Sequence, residues 1–213
     1  MKNTNRIGIG FIGGGFITRF HIKSLIGVRD CDVIGVMSKT RSSADESCAL
    51  SKQLGVGEAK PYNSVTDMVS DPAINALWIC APNFTRLEIM EEIVNAIESG
   101  KGELIGIACE KPLGRNVKEA KQMLALAKKV DLLDGYLENQ VFAPSVTKGK
   151  EIIWERGAST TGRPYLARAS EEHSGPHMPW FWEGELQGGG VLNDMMCHSV
   201  EEARFMLAAP KAS

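Results

Sequence analysis

Apolar residues along the chain switch repeatedly between two spacings. Short runs rich in Ile, Val, Leu and Phe at 6–12, 32–37, 76–81, 104–107 and 132–137 predict strands, and a short strand is also predicted over 58–62. Between them, apolar positions recur every three or four residues. Ile17, Phe20, His21, Ser24 and Leu25 make one such face, and Leu87, Met90, Val94 and Ile97 another. Helices are also predicted over 64–69 and 116–129. Punctuation agrees with this reading. Leu54-Gly55 ends the helix after the second strand, Gly100 ends the Leu87 helix, and Asn116 with Glu119 has capping-box-like spacing. Strict alternation of strand and helix through residue 137 predicts an α/β doubly wound parallel sheet.

The rhythm changes after residue 140. A helix is expected over 144–156, a loop over 157–162, a strand over 164–170 and a helix over 191–207. Residues 171–190 are irregular but hold two histidines, Trp180-Phe181-Trp182 and Gly188-Gly189-Gly190. So long an unstructured stretch points to function, and its aromatics favour order. The trio could stack on a sugar face, although burial is the commoner use of aromatic side chains. Two domains are expected, 1–138 and 139–213.

Charge and cysteine content narrow the function classes. Formal net charge is -2 with both signs interspersed, so no basic stripe suggests nucleic acid and no polybasic run a membrane surface. No apolar run is long enough to span a bilayer. Five cysteines at 31, 48, 80, 109 and 197 lack CxxC spacing and read as reduced core thiols of a cytoplasmic protein.

Three places carry candidate chemistry. The first is the turn after the first strand. A literal GxGxxG falls on Gly8, Gly10 and Gly13, inside the strand, so the sensible register is Gly13-x-Gly15-x-x-Thr18. Gly13 would make the tight turn, Gly15 would let a pyrophosphate approach the backbone, and N–H groups from Phe16 onward would point at the anion. A plain glycine turn explains the same residues. The second is the end of the second strand. Ser38 stands where a carboxylate would meet a free ribose 2′-hydroxyl, and Lys39 and Arg41 flank it. That favours NADP over NAD, with Ser42 and Ser43 capping a solvated helix as the competing explanation.

The third is Ala108-Cys109-Glu110-Lys111-Pro112, which presents Lys111 at the carboxyl end of a strand. A salt-bridged turn is the alternative. Asp194 and His198, four apart on the predicted last helix, would share a face beside the three glycines. A capping Asn193 or Asp194 and a core His198 explain them equally. His173 and His177 are separated by Gly175-Pro176, a poor spacing for metal, and no metal site is expected.

Taken together, Gly13-Gly14-Gly15-Phe16-Ile17 with His21, Ala81-Pro82-Asn83, Cys109-Glu110-Lys111-Pro112 and Gly188-Gly189-Gly190 followed by Asp194 and His198 resemble the glucose–fructose oxidoreductase/inositol dehydrogenase (Gfo/Idh/MocA) family. The resemblance implies a Rossmann domain, then an α/β domain with an open, mostly antiparallel sheet. It implies hydride transfer between NAD(P) and a secondary alcohol or carbonyl of a sugar or polyol. By position, Lys111 would hold substrate and nicotinamide, His198 would be the acid/base, Asp194 would bind substrate and Glu110 would shape the site. Thr18 stands where the family has Gly or Ala, and Glu138-Asn139-Gln140 where many members have an Asn-x-Arg turn. Family members usually run considerably longer, so a C-terminally truncated chain is expected, forming a homo-oligomer if the second sheet is completed. The alternatives are a non-catalytic nucleotide-binding module or partner subunit, and NAD-dependent glycoside cleavage.

Overall fold

The computed structural model describes residues 6–176 and 178–210. The chain divides into two compact units, Met1–Tyr136 and Leu137–Ser213.

The first unit is built on β1 (Ile7–Ile12), β2 (Cys31–Met37), β3 (Lys60–Tyr62), β4 (Ala76–Ile79), β5 (Gly106–Glu110) and β6 (Leu133–Leu137), whose last residue opens the second unit. Their order in the sheet is β3-β2-β1-β4-β5-β6, with parallel pairing between β1 and β2, β1 and β4, β2 and β3, and β4 and β5. The order reverses between β1 and β4. In an open parallel sheet that reversal creates a crevice at the carboxyl ends of the strands.

Helices cover both faces. On one side α1 (Phe16–Ser24) and α2 (Arg41–Gln53) pack on Ile9, Phe11, Val33 and Val36. On the other, α3 (Val65–Val69), α4 (Arg86–Glu98) and α5 (Val117–Lys129) bury Met68, Met90, Ile93 and Met123 against Ile12, Leu77 and Ile79. Val33 and Val36 differ in parity yet reach the same cluster, because the register shifts between Ile9 and Gly10 and gives β2 one extra residue, Ile34. Gly8 and Gly10, the literal fingerprint match, are strand residues crowded by the Ala73 carbonyl and the Met68 side chain. Their glycines serve packing.

Local signals set most boundaries. Ser64 accepts the Asp67 N–H at 3.0 Å and Asn116 accepts the Glu119 N–H at 3.0 Å, the two N-caps in place. The Glu119 carboxylate reaches back one residue further than a capping box, to the Arg115 N–H at 2.8 Å. Gly55 and Gly100 end their helices at φ +66° and +69°. Two expectations fail here. Ser42 and Ser43 do not cap α2, which starts at Arg41 behind Thr40. The strand expected over 104–107 begins only at Gly106, and Ile105 before it is 55% exposed.

The second unit is mostly helical. α6 (Pro144–Ile152) passes through a π turn, Ile153–Gly157, into α7 (Ala158–Thr161), so the loop expected over 157–162 is helical as far as Gly162, at φ +83°. α8 (Gly184–Gln187), α9 (Gly190–Asp194) and α10 (Met196–Leu207) follow. The single helix expected over 191–207 is broken at Met195, where φ widens to -102°. Residues 164–170 lie in no regular element. A strand needs another strand's N–H and C=O groups, and no described residue of this unit beyond Leu137 supplies them. The antiparallel sheet is therefore not formed by the described residues. No helix among them is long and apolar enough to cross a membrane.

One polar network ties β3 to the turn before β4. Asp71 accepts from Lys60 at 2.8 Å and from the Tyr62 hydroxyl at 2.6 Å, and its second oxygen accepts the Ala73 N–H at 2.9 Å. The Lys60 and Tyr62 hydrogen bonds hold the Asp71 carboxyl down at about 2, while burial chiefly pushes Tyr62 up to about 12. A carboxyl lowered in the folded state contributes stability that is full above its unfolded value, about 3.9. That contribution is lost as pH falls toward 2. Asp71→Asn should lower unfolding free energy at pH 7 by about 1–2 kcal/mol. The deficit relative to wild type should shrink between about pH 4 and pH 2, measured by urea unfolding across that range. A deficit independent of pH would contradict the assignment.

Candidate functional site

β1 delivers the chain into Gly13-Gly14-Gly15, and each glycine has a different reason. Gly13 lies at φ +107°, and a Cβ there would sit 2.8 Å from the Ala81 nitrogen on the neighbouring strand's end. A Cβ on Gly14 would sit 2.7 Å from the Ser43 backbone of α2. Gly15 has ordinary extended angles, and a Cβ there would meet no protein atom within 4 Å. Packing within the chain therefore explains the first two glycines and not the third.

The turn's carbonyls are tied back into the protein. Thr18, wholly buried, donates its hydroxyl to the Gly13 carbonyl at 2.6 Å, and Ser47 and Arg19 donate to the Gly14 carbonyl at 3.1 and 3.2 Å. Thr18 thus replaces the third fingerprint glycine with a hydroxyl that staples the turn. With the carbonyls drawn inward, the first-turn N–H groups of α1 mark the positive end of its dipole. Phe16, 78% exposed, opens that helix, and Ile17 is half-buried. Beyond β2, Ser38 is half-buried and Lys39 exposed. Arg41 is exposed and pairs with Asp45 at 3.0 Å.

The ends of β4 and β5 are joined by a residue that no motif in the sequence marks. Arg86, 5% exposed, donates through Nε to the Ala81 carbonyl at 2.8 Å and through Nη1 to the Glu110 and Pro112 carbonyls. One guanidinium thus holds both arms of the Glu110-Lys111-Pro112 turn against Ala81-Pro82-Asn83. The Lys111–Pro112 peptide is cis. Asn83 is buried and begins a 3-10 turn, Asn83–Thr85, that leads into α4. A weaker signal for Arg86 was present in the sequence: a cation in the first turn of a helix opposes the macrodipole, so another contact must hold it there.

Glu110 is buried as well. One oxygen meets His21 Nε2 at 2.7 Å and the other accepts the Lys111 N–H at 3.1 Å. His21 lies on α1, with its ring edge-on to Trp78 at 5.1 Å. Its place among apolar α1 positions was the clue to a specific partner. The glycine turn, α1 and the Lys111 turn are therefore pinned to one another within the first unit. Lys111 itself is half-buried. The adjoining thiols are poor nucleophiles, since burial pushes Cys80 well up and Cys109 up to about 11. All five cysteines are unbridged.

In the second unit His198, 6% exposed, presents Nδ1 to the Glu138 carboxylate, itself 5% exposed. Asp194 ends α9 and His198 lies in the first turn of α10. The break at Met195 means the two do not share a face of one helix. Asp194 instead lines a cavity of about 500 Å³ with Glu171, Glu172, His173, Gln187 and Trp182. Trp182 is 74% exposed at this cavity and Trp180 stacks on Phe181 at 3.8 Å, so the aromatic trio is not core. Gly188 and Gly190 have φ of +93° and +58°, which is why glycine stands there. His177 lies outside the described residues. Among the described residues no three His, Cys, Asp or Glu side chains gather as a metal site would require.

The family described as "Oxidoreductase family, NAD-binding Rossmann fold" matches residues 7–133. The chain belongs to the GFO/IDH/MocA oxidoreductases. The family's C-terminal domain matches residues 157–213. The 1,5-anhydro-D-fructose reductase of Ensifer adhaerens is 29% identical, over 93% of this chain and 56% of its own. Myo-inositol 2-dehydrogenase of Thermotoga maritima is 28% identical, over 93% and 54%. The crystal structure of GenD2 from gentamicin A biosynthesis, in complex with NAD, is 25% identical with a TM-score of 0.80, covering 97% of this chain and 55% of that one. The chain thus spans little more than half the length of these relatives.

Removing the clamp should loosen the first unit without touching its hydrophobic layers. Arg86→Ala leaves the buried Ala81 and Glu110 carbonyls and the half-buried Pro112 carbonyl without this donor, so denaturant unfolding should show a loss of at least about 2 kcal/mol. A loss below about 0.5 kcal/mol, the scale of an ordinary surface substitution, would show that the guanidinium carries no structural weight.

Proposed function

We propose that this chain binds NAD(P) and a sugar or polyol and promotes hydride transfer at a secondary alcohol or carbonyl. Residues 1–138 would form the dinucleotide-binding domain. Residues 139–213 would contribute to a substrate domain, whose antiparallel sheet the described residues do not form. The observation that carries the reading is the linkage of Gly13–Gly15, Ala81–Asn83 and Glu110–Pro112 at the carboxyl ends of β1, β4 and β5.

The residues present fit a dinucleotide. Gly15 has open space where any other side chain would project, ahead of a nine-residue helix whose first-turn N–H groups suit a pyrophosphate. Ala81, Pro82 and Asn83 would border the nicotinamide end. Ser38, Lys39 and Arg41 would meet the adenosine ribose. An exposed ion pair such as Arg41–Asp45 costs little to break. With no carboxylate at Ser38, this end suits a 2′-phosphate, so NADP is the preferred cofactor.

When bound, the dinucleotide supplies the hydride acceptor or donor. The chain's residues do the rest. The Lys111 ammonium lowers the cost of negative charge growing on the substrate oxygen. The hydroxyl proton passes to His198, and Asp194 accepts a hydrogen bond from a neighbouring substrate hydroxyl. Glu110 holds the Lys111 backbone in place. The half-buried Glu171 and Asp194 carboxylates and exposed Trp182 of the second unit's cavity suit the many hydroxyls and flat C–H face of a sugar ring.

Thermal-shift titration of the full chain should raise the melting temperature with NADP⁺ at lower concentration than with NAD⁺. On a polyol and sugar panel followed at the nicotinamide absorbance, Lys111→Ala should keep that shift and lose on the order of 10²–10³ in turnover. A variant as active as wild type would remove Lys111 from the site. Equal responses to both dinucleotides would reject the NADP preference.

A further inference from the structure

The Glu138–His198 pair is assigned by none of the residues the family resemblance supplies, and its geometry is specific. Glu138 follows β6 at the turn into the short 3-10 helix Gln140–Phe142. Its carboxylate is buried and faces donors on both oxygens. The Gln140 N–H reaches Oε1 at 3.2 Å, the Val141 N–H reaches Oε2 at 3.4 Å, and His198 Nδ1 also meets Oε1. Backbone donors cannot change their role. They place a hydrogen on each oxygen, and a carboxylate only accepts. A neutral His198 facing it must carry its proton on Nδ1, which leaves the lone pair on Nε2.

We propose that Glu138 is the positioning residue that fixes the tautomer of His198, so that Nε2 is the atom that exchanges a proton with the substrate. The inference rests on the proposed oxidoreductase reading for its consequence in catalysis, but not for its geometry. In the oxidising direction the substrate O–H bond would break as an Nε2–H bond forms, and the C–H bond on the carbon bearing that oxygen would break with its electron pair leaving as hydride for a bound dinucleotide. The Nδ1 proton stays between the ring and Glu138, whose negative charge stabilises the imidazolium. In the reducing direction Nε2–H returns the proton to the new alkoxide. Glu138 touches neither substrate nor cofactor. Its effect is to hold the ring nitrogen pair in one assignment and one orientation.

The test reads the ring directly. The full chain is labelled with ¹⁵N-histidine and followed by long-range ¹H–¹⁵N correlation at pH 8, where an unperturbed imidazole is neutral. His198→Gln identifies the His198 signals by their loss. Wild type should show the Nδ1–H form. Glu138→Asp should retain it. Glu138→Leu, which offers Nδ1 no acceptor, should shift the population toward Nε2–H. An Nε2–H ring in wild type would overturn the proposal without any variant, as would a Glu138→Leu spectrum unchanged from wild type.

Where turnover is measurable, Glu138→Gln should lose on the order of 10²-fold or more in kcat. Its KM for cofactor should stay unchanged and Glu138→Asp should recover part of the rate. Equal kcat in wild type and Glu138→Gln would also reject the role. A wild-type chain with the expected tautomer but no turnover on any sugar or polyol would count against the proposed function alone.

Discussion

The first unit depends on a single buried cation. Arg86 gathers carbonyls from the ends of two adjacent parallel strands, Ala81 after β4 and Glu110 with Pro112 after β5. Strand ends diverge as a sheet twists, and their last carbonyls have no partner in the ladder. Buried without donors they would each cost free energy. A guanidinium satisfies them from one planar fork, which a lysine could not do. Glu110 then acts as a second tie, with one oxygen on His21 of α1 and the other on the Lys111 backbone. Helix, glycine turn and lysine turn become one rigid crevice at the point where the strand order reverses.

The two units solve the same problem by similar means. In each, a glutamate at the end of a strand or one step beyond it is buried, accepts a backbone N–H from the turn that follows it, and meets a histidine from a helix: Glu110 with His21, and Glu138 with His198. In each the carboxylate fixes a backbone turn and an imidazole together. The first pair braces the lysine; the second presents a ring nitrogen. Buried carboxylates of this kind persist because their lone pairs are satisfied locally. That is also why neither reads as surface charge.

Much of the first unit was legible in the sequence because its signals are local. Strands with β-branched runs, glycines ending helices, and Asn116 as a cap depend on residues within a few positions of one another. The glycine turn was placed in the right register because Gly8 and Gly10 fall inside an apolar run. What escaped depends on contacts distant in sequence. Arg86 with Glu110 is 24 residues apart, His21 with Glu110 is 89, and His198 with Glu138 is 60. No periodicity encodes such pairs. The second unit was misread for a related reason: the strand at 164–170 would need partners from elsewhere, and the break at Met195 interrupts a pattern that looks helical throughout.

The proposed dinucleotide site turns on Gly15, the one glycine of its turn whose side-chain position meets no protein atom. Its backbone angles suit any residue, so Gly15→Val should fold normally while projecting two methyls into the space assigned to the pyrophosphate. Titrating wild type and Gly15→Val with reduced dinucleotide, followed by nicotinamide fluorescence, tests this directly. Saturable binding by wild type, and at least about tenfold weaker binding by a variant of unchanged melting temperature, a difference of about 1.4 kcal/mol, is the predicted result. Equal affinity in the two proteins would contradict it.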